Sequence, residues 1–188
     1  MRAIYLLIGF LCMFQFPIPK TDITFFPLLG FLLMLYSVLR MEKMEPAFKK
    51  AKVALIVAIP ISAALFGLQI FSTVGKSGAW FSYTYAAIRI LTEIAEIVTA
   101  VFLYIGIKII GSNAEIPSLE KQSIRCMSFM AVYVFVYTAI NLLNLFRPEV
   151  FSGYEFVTVW PFVIGYIWRA LTVWMAFTLH TKISVSHN

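Results

Sequence analysis

Arg89-Ile-Leu-Thr-Glu93-Ile-Ala-Glu96 sets one cation and two carboxylates inside a hydrophobic run that reads as a membrane-spanning helix over residues 83–110. A charge at that depth costs roughly 2.5–3.5 kcal/mol on insertion scales, so such groups turn into a bundle and pair, or line a site. Arg89, Glu93 and Glu96 stand at i, i+4 and i+7, which stacks them on one stripe of the helix. One more charge lies deep in an apolar segment, Arg169, and it is the expected partner. The stretch therefore predicts a polytopic membrane protein with a buried ionic cluster.

Composition points the same way. Of 188 residues 61% are hydrophobic and 13% charged, with a mean hydropathy of +0.88. A soluble domain carries about 25% charged residues. The net charge of +6 fits membrane topology and contact with anionic lipid. No basic block interleaved with aromatics lies outside the spans, so nucleic acid is not an expected partner. Cys12 and Cys126 form no CxxC or Cys/His cluster, so neither a disulfide framework, a metal site nor a cofactor is expected.

Outward from residues 83–110, the pattern predicts five further spans in a single all-α domain over residues 1–188. Residues 3–16 form a retained first helix, since no small-residue cleavage site follows. At about 21 Å it is short for a core of about 30 Å, and Pro17 and Pro19 end it. After a polar turn at Lys20 to Asp22, with Asp22 or Thr24 as cap, the second span covers residues 24–39. The loop from Arg40 to Lys52 carries Arg40, Lys43, Lys49, Lys50 and Lys52, with Pro46 opening an interfacial helix. In the third span, residues 53–71, Ala54, Ala58 and Ser62, then Ala63 and Gly67, form a small-residue surface for a neighbouring helix, and Pro60 is expected to kink it. The fifth and sixth spans cover residues 123–146 and 156–180.

Counting basic residues by side sets the orientation. With both termini cytoplasmic, the inner face collects Arg2, Arg40, Lys43, Lys49, Lys50, Lys52, Lys108, Lys121, Arg125 and Lys182, against Lys20, Lys76 and Arg147 outside. At 1.5 Å per residue, Glu93, Glu96 and Arg169 fall within roughly 5 Å of the midplane, and Arg89, Asn141 and Asn144 lie about 8–14 Å outward. Tyr133, Tyr137, Asn141 and Asn144 share a stripe, as do Tyr166, Arg169 and Thr172. Facing each other, these stripes build an outward pocket rimmed by Trp80, Tyr83, Tyr85 and Trp160. Its ligand-binding residues are expected to be Arg89, Glu93, Glu96, Asn141, Asn144 and Arg169. The competing expectation is structural: two Glu and two Arg sum to zero, as a dry ion network requires. Asparagines also serve as interhelical glue, and aromatics as interfacial belts.

Three catalytic likenesses fail. Gly75-Lys76-Ser77 lacks the first glycine of a P-loop, with Ile70 in its place. Gly75-Lys-Ser77-Gly78 matches the GxSG string of rhomboid proteases, but His180 is expected roughly 30 Å away at the other face. Arg89, Glu93 and Glu96 with His180 offer no second histidine for zinc. An intramembrane enzyme is therefore the last-ranked expectation.

Asp22-Ile23 with Pro27, Gly30 and Phe48-Lys-Lys-Ala51 resembles the opening of an uncharacterised group of small multi-pass proteins of Gram-positive-type bacteria, over about thirty residues. The overall plan is similar to the S-components of energy-coupling-factor vitamin transporters, although Ala3 is followed by Leu7 and Leu11 where an Ala-xxx-Ala surface is usual there. The first likeness brings no activity with it; the second, with the expected polar pocket, implies a small-solute binding or transport component in a bacterial cytoplasmic membrane, working with a partner membrane protein. Its other expected partners are the bilayer itself, anionic lipid headgroups at the Arg40 to Lys52 loop, and a small solute. The alternative is an accessory or scaffold subunit with a purely structural ion network.

Overall fold

The computed structural model describes residues 3–14, 26–74, 79–146 and 155–185, less the side chains of 73, 74, 79, 144–146, 155–158 and 183–185. The polar turn at Lys20 to Asp22, the prolines after the first helix, the Gly75–Gly78 loop and the connection at 147–154 lie outside the described residues. Six helices make up the description: α1 (Ala3–Cys12), α2 (Phe26–Met41), α3 (Phe48–Val74), α4 (Ala79–Asn113), α5 (Pro117–Phe146) and α6 (Glu155–Val185). Sequences this apolar satisfy their backbone groups internally, and a helix does so within one segment.

Four helices are long and apolar enough to cross a membrane: Phe48–Ser72, Trp80–Asn113, Pro117–Leu143 and Val159–Lys182. The first two are shorter, 10 and 16 residues, or about 15 and 24 Å. Each helix packs on its neighbour in the chain, and α1 packs on α6, so the six close into a ring. Its interior holds Leu6, Phe31, Met34, Phe48, Leu103 and Met175. Chain connectivity and short turns gather the loop from Arg40 to Lys52, the α4–α5 turn and the end of α6 at one end of the ring, the basic end.

Local chemistry fixes the turns there. Before α3, the Ala47 N–H donates to Glu45 Oε1 at 3.2 Å and the Phe48 N–H to the Glu45 carbonyl. Asn113 Nδ2 donates to Glu45 Oε2 at 3.2 Å, tying this turn to the end of α4. At that end the Ile116 N–H reaches the Gly111 carbonyl and the Glu115 N–H the Ser112 carbonyl. This is a Schellman cap, with Glu115 in the left-handed position (φ 55°) that glycine usually fills. Pro117 then opens α5, where its missing N–H is no loss.

Three sequence expectations change, the first being that α5 opens at Pro117 and not at residue 123. The interfacial helix and third span are one continuous helix, because Phe48 is wholly buried and anchors the first turn of α3 to the core. The small-residue surface on α3 divides: Ala58 and Ser62 are buried, whereas Ala63 and Gly67 are exposed and a Cβ on Gly67 would meet nothing within 4 Å. The tight crossing is instead α1 on α2, where a Cβ on Gly30 would stand 2.8 Å from the Gly9 carbonyl oxygen.

Candidate functional site

The ionic stripe on α4 separates into two parts. Glu96 meets Arg169 of α6 in a two-pronged pair, Nε donating to Oε1 and Nη2 to Oε2, each at 2.9 Å. Both side chains are enclosed, at 10% and 15% exposure. Arg89 and Glu93 approach only to 3.7 Å, with Arg89 at 55% exposure and Glu93 at 19%. One pair is locked and the other is open.

Below the locked pair lies a closed circuit of hydrogen bonds. Trp168 Nε1 donates to Tyr104 Oη at 2.7 Å, and Tyr104 Oη is bonded to Thr172 Oγ1. Thr172 Oγ1 donates to the Trp168 carbonyl at 2.9 Å. Since the Thr172 proton is committed to that carbonyl, Tyr104 must be the donor to Thr172, and every polar hydrogen has an acceptor. Arg169 lies 5.5 Å from the Trp168 ring centroid, and Tyr133 stacks on the same indole at 5.4 Å. A space of only about 10 Å³, near the minimum for one water, remains on the α1 and α2 side of the pair.

On the other side of Arg169 a cavity of about 510 Å³ opens among α4, α5 and α6, in the half of the bundle away from the basic end. Arg89, Glu93, Asn141 and Arg169 line it, with Tyr133, Tyr137 and Tyr166. Glu96 does not. Gly165 permits the arrangement: a Cβ there would come within 3.0 Å of the Tyr133 ring and 3.6 Å of Arg169 Nη1.

Five of the six expected site residues thus have described side chains, and four of those line one cavity. Glu96 stands behind it, holding Arg169 in place. Asn144 lies on α5, but its side chain is outside the described residues. Asn141 donates to its own helix, Nδ2 to the Tyr137 carbonyl at 2.8 Å, while its face lines the cavity. The expected rim is different. Trp80, Tyr83 and Trp160 face outward, each more than half exposed, and Tyr85 stacks on Phe81 at 6.2 Å. Tyr133, Tyr137, Tyr166 and Phe162 supply the aromatic walls instead. The reading of the sequence gave Tyr104 no part. Its position eight residues beyond Glu96, on the same side of α4, was the available signal.

Among the described residues no three His, Cys, Asp or Glu side chains converge as a metal centre requires. What fold and site define is an all-helical, membrane-compatible bundle with a locked ion pair and an adjoining polar cavity. No family model, curated protein or solved structure matches the chain, so its chemistry stands on this geometry.

Proposed function

We propose that the chain is a membrane-embedded component that binds a small polar solute in the Arg89–Glu93–Asn141–Arg169 cavity and, with partner proteins, serves its transport. In this reading all six helices lie in a bacterial cytoplasmic membrane, both termini are cytoplasmic and the cavity faces out. The carrying observation is the cavity: about 510 Å³ falls within the usual 300–1,000 Å³ of ligand pockets. Its walls are aromatic with a few charged groups, and Glu93 is held only by a long 3.7 Å ion pair to the exposed Arg89. Glu93 would accept a cationic or hydrogen-bond-donating group. Arg89 and the free edge of Arg169 would take an anionic one, and Asn141 would orient the solute.

The test is a thermal-unfolding panel on the purified chain, with zwitterionic amino acids, quaternary amines and small carboxylates as probes. A ligand at 100 times its Kd adds about 2.7 kcal/mol of stability. Glu93→Gln should abolish that shift while leaving the unliganded protein folded. If no probe class moves the transition, and mass spectrometry finds no copurifying small molecule, the solute reading fails.

The second reading, an accessory or scaffold subunit with a structural ion network, draws on the enclosed, two-pronged Glu96–Arg169 pair. Under it Glu93→Gln would be silent.

A further inference from the structure

The outer face of α4 carries a second groove, separate from the polar cavity. It lies between α3 and α4, holds about 540 Å³, and has apolar walls apart from Lys49 and Lys50 at one end. Small side chains at Ala54 and Ala95 leave the space. From Lys49, in the first turn of α3, to Ile61, at that helix's midpoint, it runs about 18 Å at 1.5 Å per residue. Leu91 lines its far end on α4. One leaflet of hydrocarbon is about 15 Å deep.

We propose that this groove binds one anionic phospholipid, an acyl chain lying along α3 and α4 and the phosphate held by Lys49 and Lys50. Three observations support that occupant. The groove is confined to about one leaflet's depth, whereas a partner's transmembrane helix would need a surface across the whole bilayer. Both lysines are exposed and, among the described residues, neither has a carboxylate within 4 Å. Of the nearby acids, Glu42 pairs with Lys52 at 2.8 Å and Glu45 is turned to Asn113 and the Ala47 N–H. Two uncompensated cations at the mouth of an apolar slot complement a phosphate on a hydrocarbon chain, and a zwitterionic headgroup satisfies them less well.

The experiment is native mass spectrometry of the full chain in detergent, titrated with dioleoyl phosphatidylglycerol or dioleoyl phosphatidylcholine, with helix content checked by circular dichroism. The wild type should favour phosphatidylglycerol, by about fivefold for each lysine. The Lys49→Gln/Lys50→Gln double variant should bring the two lipids to parity. Val57→Trp, on the exposed wall of the groove, and Ala54→Trp should each lower binding of both lipids; Val57→Trp carries the result where Ala54→Trp does not fold. Equal binding of both lipids by the wild type overturns the proposal. So does a preference that survives removal of the lysines, lipid binding unchanged by Val57→Trp, or a second copy of the chain bound in place of lipid.

Discussion

Glu93 and Glu96 are three residues apart on α4 and have opposite environments. Three steps of 100° leave their side chains about 60° apart around the axis, enough to aim one at Arg169 and the other at the cavity. Spacing made the shared stripe legible, and Arg169 legible as a partner. It could not choose between the acids, because that depends on how α4 is rotated against α6. The locked pair carries a stability prediction. Glu96→Gln leaves an enclosed guanidinium without its counter-charge and should cost about 3–5 kcal/mol in detergent unfolding. Glu96→Leu with Arg169→Met should recover most of that loss, since a buried pair and well-packed apolar residues are often equivalent. In the circuit beneath, Thr172→Val strands the Tyr104 hydroxyl and should cost about 1–3 kcal/mol by the same assay.

Helix α1 meets α2 through backbone at Gly9 and Gly30, two lone glycines on different helices. No period within either sequence marks them, which is why the repeated small residues of α3 drew the expectation instead. The two sites should respond oppositely to one substitution. Gly30→Ala drives a methyl against the Gly9 carbonyl and should destabilise by about 1–3 kcal/mol. Gly67→Ala meets open space and should gain about 0.5–1 kcal/mol of helix stability. At the end of α4, Glu115→Gly relieves a left-handed residue and should raise the unfolding temperature. Thermal unfolding of the three variants side by side checks the set. Helix count and order were readable from hydropathy and proline positions, but most ends were not: the helices run on past the apolar stretches, α3 from Phe48 and α5 from Pro117. Nor was the cap at Glu115, since nothing about a glutamate announces a positive φ.

The ring of six helices closes only when α6 reaches α1, and the Glu96–Arg169 pair also waits on α6. Because α1 and α2 are consecutive, both crossing or both failing to cross leaves the amino terminus on the side of the Arg40 to Lys52 loop. An amino-terminal tag and a Lys43→Cys label should therefore be accessible from the same face of sealed vesicles. Opposite faces would mean that one of the two short helices spans alone. In the proposed orientation this face is the cytoplasmic one. Closure by the last helix also bears on how the protein is made. Glu96 is synthesised 73 residues before Arg169. At 5–20 residues per second that is a wait of about 4 to 15 s. During it, Glu96 lacks the guanidinium of Arg169 that encloses it in the finished bundle. If the chain inserts as proposed, α4 needs shelter from lipid until α6 emerges, and ribosome pauses between the two helices would prolong its exposure.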